Sequence, residues 1–195
     1  MHELTRFANL YATDKGSEHN EYIHCYTEFY GPLLNHRRYD LKNMLEIGVY
    51  RGQSIRMWKD FFVNANIHGI EYDHINMQDE TEFIKQWADA YCHRTINHFK
   101  EKNIKFDFKI DDGPHDMPTW TFVLNNYIDL LEENGILIIE DIGFMRECHD
   151  LIDAFSGDKT RLTPIDRTKT AINISNHHLY RNPGDRDPNY ILLYM

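Results

Sequence analysis

Cysteine is scarce in this sequence: Cys25, Cys92 and Cys148 are far apart, odd in number and form no C-x-x-C pair. Neither a disulfide framework nor a thiolate zinc site is suggested, and a reducing, cytoplasmic setting is the expectation. Positive charge is also short, with 21 Lys and Arg against 31 Asp and Glu and a net charge of -10. Such a surface repels a phosphate backbone, so neither nucleic acid nor an anionic membrane is an expected partner. No run approaches the roughly 18 apolar residues of a membrane span. The opening "MHELTRFANLY" has acidic and polar residues where a signal peptide is apolar, so the chain reads as soluble and unprocessed. Repeats, low-complexity tracts and a Pro/Gly/Ser-rich linker are missing as well, and 195 residues suit one domain spanning 1–195.

What is present is an alternation of short apolar runs with longer amphipathic ones. "NMLEIGV" (43–49) reads as a strand ending on Gly48, and "GQSIRMWKDFF" then carries Ile55, Trp58, Phe61 and Phe62 at helical spacing. "NIHGIEYD" (66–73) and "KFDFKIDD" (105–112) read as strands closing on acids. "NYIDLLEENG" reads as a helix end stopped by Gly135, before the buried strand "ILIIED" (136–141). Phe83, Trp87, Tyr91, Ile96 and Phe99 recur at helical intervals, so 79–102 reads as one long or two shorter helices. Strands alternating with helices imply βαβ units and a mostly parallel sheet. In the tail, "KTAINIS" and "NYILLYM" flank a turn-rich loop too short for a crossover helix, so an antiparallel C-terminal hairpin is expected.

Two features suggest a nucleoside ligand. In "LEIGVYRGQS", Glu46 lies on the strand, and Gly48 and Gly52 frame a turn that lets a ligand approach the backbone and the helix amides. Tyr50 stands where the dinucleotide fingerprint has its middle glycine, so that fingerprint fails. The second strand then closes on Glu71 and Asp73, where an acid can accept both hydroxyls of a ribose.

The line "LEIGVYRGQSIRMW … GIEYD … DFKIDDGPH … GILIIEDI" resembles the class I S-adenosylmethionine-dependent methyltransferases. More narrowly, it is similar to the metal-dependent small-molecule O-methyltransferase group, which includes macrolide-sugar methyltransferases and cephalosporin-hydroxylase-like proteins. "YATDKGSEHNEYIHCYTEFYGPLL" looks like the segment that precedes the first strand there. The resemblance implies an N-terminal helical segment over 1–40 and, over 41–195, a Rossmann-like α/β core with helices on both faces. It assigns Glu46, Gly48 and Gly52 to the methionine end of the cofactor and Glu71 to the ribose. Two departures stand out: "HINMQDETEF" holds only a faint echo, Gln78 and Asp79, of the third-strand turn, so that strand is expected short or missing. Pro114 replaces the usual serine of D-D-G-S-H, stiffening the loop without removing an ionisable group.

Ligands of open α/β sheets sit beyond the carboxyl ends of the strands. Asp112 ends one strand, and Glu140 and Asp141 end another expected beside it. Two charges about 5 Å apart repel by roughly 3 kcal/mol at a dielectric near 20, so a proton or a cation must relieve the cluster. Oxygen ligands select magnesium, manganese or calcium over zinc. Strand-end acids also cap helices or face water; Asp111 either does this or faces the cofactor. His115, in a turn three residues after Asp112, is the candidate general base.

The expected activity is therefore S-adenosylmethionine- and Mg-dependent O-methyl transfer to a small hydroxylated acceptor, a sugar or natural-product glycoside. A non-catalytic S-adenosylmethionine-binding scaffold and a hydroxylase-like metal enzyme are the alternatives, and relatives suggest a homo-oligomer. The aromatic segment holding Tyr22, Tyr26, Phe29 and Tyr30 reads either as a helix packed on the domain or as a lid. His36 to Arg38 reads as a solvated helix end, and His19, His177 and His178 as surface residues.

Overall fold

A computed structural model describes residues 1–18, 24–73, 84–167 and 190–195. Its backbone follows the apolar runs. Strand β1 (Asn43–Ile47) leads through Gly48 into helix α3 (Gln53–Phe61), and β2 (Asn66–Glu71) lies parallel beside β1. On the other side of β1 runs β4 (Phe106–Asp111), followed by α5 (Met117–Asn126), whose N-terminus is capped by Asp116 accepting from the Thr119 amide at 2.9 Å. Next come β5 (Leu131–Ile142), α6 (Met145–Ala154), β6 (Leu162–Asp166) and β7 (Tyr190–Tyr194). With β3 (Ile84–Trp87) beside β2, the described strands form one seven-stranded sheet in the order β3-β2-β1-β4-β5-β7-β6, with β7 antiparallel to both neighbours. This is the expected mostly parallel α/β sheet with an antiparallel C-terminal end.

Strand alternation sends side chains to two cores. Met44, Ile67, Phe108, Ile110, Ile136 and Ile138 face α1 (Glu3–Leu10), α2 (Tyr26–Leu34) and α3, where Trp58 packs against Phe62 and Phe108 with centroids 5.8 and 5.5 Å away. Leu45, Ile47, Ile70, Leu137 and Ile139 face α4 (His93–Glu101), α5 and α6. The N-terminal helices thus pack on the domain, which answers the choice between packing and lid for the described part of that segment. No described helix is long and apolar enough to cross a membrane.

Register is what positions the site. Ile70 pairs with Ile47, Ile47 with Asp111, and Asp111 with Ile139, giving one row across four strands. The residues that follow are Glu71, Gly48, Asp112 and Glu140, all on the carboxyl edge where the strand order reverses between β1 and β4.

Several expectations need correction. Of the span 79–102 expected as one or two helices, only the second part is helical among the described residues: β3 (Ile84–Trp87) pairs parallel with β2 before helix α4 begins at His93. The four-residue spacing of Phe83, Trp87 and Tyr91 imitates a helix, but pairing with the β2 edge decides the backbone. The third strand is therefore present, four residues long. "NYIDLLEENG" does not end a helix at Gly135: α5 stops at Asn126, a 3-10 turn covers Ile128–Leu130, and β5 starts at Leu131 opposite Phe106. The described antiparallel partners of the last strand are β5 and Leu162–Asp166; "KTAINIS" and the loop after it lie outside the described residues. So do Gln78, Asp79, Phe83, His19, Tyr22, His177 and His178. Arg38, expected in a solvated helix end, is largely covered: it pairs with Glu3 and lies 5.3 Å from the Phe61 ring centroid.

Candidate functional site

A cleft of about 650 Å³ opens at this carboxyl edge, a size usual for small-molecule sites. Its walls include Gly48 and Tyr50 of the first turn, Glu71 and Tyr72 after β2, Asp89 and Tyr91 after β3, Asp112 to Pro114 after β4, and Ala12 to Asp14 from the N-terminal segment. Gly48 has φ +81°, and a Cβ there would collide with the Asp112 carbonyl, so only glycine permits this approach of the first turn to β4. Glu71 closes the same turn from the other side. Its Oε2 accepts from the Val49 and Tyr50 amides at 3.0 and 2.7 Å, and its Oε1 from the Asp73 amide at 2.9 Å.

Of the five residues expected at the cofactor, Gly48 and Glu71 line the cleft, whereas Glu46, Gly52 and Asp111 are not part of its lining. Glu46 is fully buried under α3, where its Oε2 accepts from the Ser54 hydroxyl at 2.8 Å. Burial pushes its carboxyl up to about 8, against the opposing pull of Lys15. Gly52 supplies the left-handed residue, φ +81°, that starts α3. Asp111 points to the α4–α6 face and accepts from the Tyr91 hydroxyl at 2.8 Å; burial raises it to about 7.

The four residues expected at the metal and the base do come together. His115 Nε2 lies 3.2 Å from Asp112 Oδ1 and 3.4 Å from Asp141 Oδ2. One ligand atom from each of Asp112, His115 and Asp141 falls within 4.8 Å of the others. His115 and Asp141 both have left-handed backbones, with φ 58° and 56°, and such strain in side-chain-bearing residues collects where function fixes geometry. Burial lowers the His115 pKa, but its hydrogen bond with Asp112 and the charges of Asp141 and Asp112 outweigh this and leave it raised. Carboxylate oxygens suit a hard divalent ion, and Asp112 and Asp141 present theirs in a half-buried grouping with His115.

Glu140 is placed differently from Asp112 and Asp141. It is completely buried; its Oε2 accepts from Lys15 Nζ at 2.5 Å and its Oε1 from the Tyr30 hydroxyl at 2.6 Å. Lys15 Nζ also reaches Asp112 Oδ2 at 2.5 Å, and the Tyr26 hydroxyl donates to Asp141 Oδ1. Burial alone would neutralise the Lys15 ammonium, but Asp112 and Glu140 hold its pKa well above the usual 10.5. Sequence reasoning did not single out Lys15, Tyr91 or Asp89, and it read Tyr26 and Tyr30 as packing area only. The available signal was electrostatic: a cluster of acids that needs a cation, and one lysine in the polar "TDKGS" turn of the segment preceding the first strand.

No family model matches the chain. Among curated proteins, it is similar to the demethylmacrocin O-methyltransferase of Streptomyces fradiae, 24% identical over 202 residues covering 96% of this chain and 48% of the relative. It is also similar to the mycinamicin VI 2''-O-methyltransferase of Micromonospora griseorubida, 25% identical over 147 residues covering 72% and 36%. Among solved structures, a complex of the MycE methyltransferase from the mycinamycin biosynthetic pathway with Mg and SAH gives a TM-score of 0.68 at 20% identity, over 98% of this chain and 52% of that one. A MycE complex with Mg, SAH and mycinamycin VI gives 0.62 at 26% identity, over 71% and 39%. The chain spans about half or less of the length of these relatives. Its fold is that of the class I methyltransferases.

Proposed function

We propose that this chain, with its class I methyltransferase fold and its likeness to sugar O-methyltransferases, is the cofactor-binding and catalytic unit of an S-adenosylmethionine-dependent O-methyltransferase. The acceptor would be a hydroxyl of a small glycoside, and the metal Mg or another hard divalent cation. One observation carries this reading: the row Glu71, Gly48, Asp112, Glu140 lies on one sheet edge, with a cleft lined by Glu71 and Gly48 on one side and Asp112 on the other.

Each residue then has a task. The Gly48 turn gives the cofactor close access to backbone, and the lone pairs left on Glu71 accept ribose hydroxyls. Asp89, just after β3, offers a further acceptor in the cleft wall. Glu46, Gly52 and Asp111 are not part of the cleft lining. Asp112 and Asp141, with Glu140 beside them, would hold the dication, whose contribution is to polarise an acceptor hydroxyl and lower its pKa. His115, with its imidazole within 3.4 Å of both aspartates, is the base for the hydroxyl proton. Bound in the cleft, S-adenosylmethionine would supply the methyl group to the acceptor oxygen and leave as S-adenosylhomocysteine, and holding donor and acceptor together would provide much of the acceleration.

Calorimetry with S-adenosylmethionine, with and without Mg, tests the cofactor half; absence of binding under both conditions would remove it. For the metal half, Asp112→Asn should keep S-adenosylmethionine affinity within about threefold while abolishing transfer to screened glycoside hydroxyls. Transfer that persists in this variant, or in excess chelator, would sink the metal role.

A further inference from the structure

The carboxylates at this edge are not equivalent, and the N-terminal segment makes the difference. Each has one oxygen held by a donor from that segment: Asp112 Oδ2 and Glu140 Oε2 by Lys15, and Asp141 Oδ1 by Tyr26. Asp112 and Asp141 turn their other oxygens toward His115, whereas the second oxygen of Glu140 goes to Tyr30. The Lys15 side chain is 2% exposed and that of Glu140 0%, against 22% for Asp112 and 13% for Asp141. Lys15 is also fixed through its main chain, because its carbonyl accepts from the Thr27 amide and hydroxyl, both at 3.0 Å.

The geometry points to Lys15 as a resident counter-cation: it neutralises part of the carboxylate cluster, keeps Glu140 out of the ion's reach, and leaves a dication only the Asp112 and Asp141 oxygens beside His115. This inference rests on the metal reading above and gives Lys15 a positioning and charge-setting role. Counting formal charges alone, the ammonium of Lys15 offsets one of the three carboxylates, and its removal leaves the cluster one unit more negative. Removing a buried positive charge so close to the ion should tighten cation binding, whereas loss of a merely structural lysine would loosen the site.

The test is Mn²⁺ binding, followed by calorimetry and by electron paramagnetic resonance of free Mn²⁺, so it needs neither acceptor nor turnover. Lys15→Met should bind Mn²⁺ about ten- to a hundredfold more tightly than the unaltered chain, as expected for one unit charge at short range in a partly screened site. The double variant Lys15→Met/Glu140→Gln removes one charge of each sign and should bind within about threefold of the unaltered chain. Should Lys15→Met fail to fold, the double variant, which leaves no unpaired Glu140 charge, decides. A tenfold loss in the double variant would make Glu140 a ligand and overturn the inference. Binding by the unaltered chain with no gain in a folded Lys15→Met overturns the inference alone. No binding by any of the three chains overturns the metal reading and this inference together.

Discussion

Two lysines are buried to the same depth, each 1% exposed, and the surrounding structure treats them in opposite ways. Lys15, at the carboxyl edge, meets two carboxylate oxygens at 2.5 Å and stays charged. Lys109, in the middle of β4 on the α4–α6 side, donates to the Tyr127 carbonyl and lies over the Phe106 and Tyr127 rings. Burial pushes Lys109 well below the usual 10.5. The site keeps a charge and surrounds it with opposite charge; the core accepts the same side chain only by weakening its hold on the proton. His68, on β2, belongs with Lys109: buried between Phe99 and Phe106 with centroids 6.3 and 5.3 Å away, it is pushed down to about 4.

This contrast can be broken from either side. The largest effect is expected for Lys15→Met, which leaves buried carboxylates unpaired and should cost about 3–5 kcal/mol in denaturant unfolding. Saturating Mn²⁺ should restore part of that loss. On the core side, His68 has a folded value of about 4 against 6.5 unfolded. The unfolded chain therefore binds the extra proton first, and stability present above pH 6.5 is lost as pH falls toward 4. The full loss is about 3 kcal/mol. His68→Phe should flatten that stretch of the stability curve.

Lys109→Met should stabilise by about 1–3 kcal/mol at pH 7, because it removes a buried amine with one carbonyl partner among the described residues. The sign follows from its lowered value: the unfolded chain binds the proton from pH 10.5 downward while the folded chain resists, so the native lysine loses stability as pH falls. Thermal unfolding of both chains between pH 7 and 10 should therefore converge toward the alkaline end. Smallest is Tyr30→Phe, which takes one donor from Glu140 and leaves Lys15 in place; a loss of about 1–2 kcal/mol is expected. A loss as large as that of Lys15→Met would show that the hydroxyl, not the ammonium, dominates at Glu140.

Much of this arrangement is legible in the chain, because the signals are local. Gly48 and Gly52 mark the turn, Ile136 to Ile139 mark a strand buried on both faces, and the acids at 71, 112, 140 and 141 mark strand ends. What was not legible depends on distant partners. Lys15 meets residues 97 and 125 positions away, and nothing in "TDKGS" indicates that its lysine leaves the solvent. Ile84 to Trp87 became a strand because the β2 edge needed pairing, against a spacing that suits a helix. Glu46 lies within its strand and Asp111 at the end of its own, but alternation points their side chains to the two faces rather than into the cleft.

The irregular start of β5 has a consequence for how the chain tolerates changes of length. Between the pairs Phe106↔Leu131 and Phe108↔Ile136, β4 advances two residues while β5 advances five. The surplus is taken up around the exposed residues 132–134. A residue added or removed there can be absorbed by the bulge without disturbing what lies downstream. One added between Leu137 and Ile139 cannot: it would carry Glu140 to the opposite face, away from Lys15 and Tyr30, and put another side chain beside Asp112. Insertions a few positions apart should thus be silent in the first place and ruinous in the second.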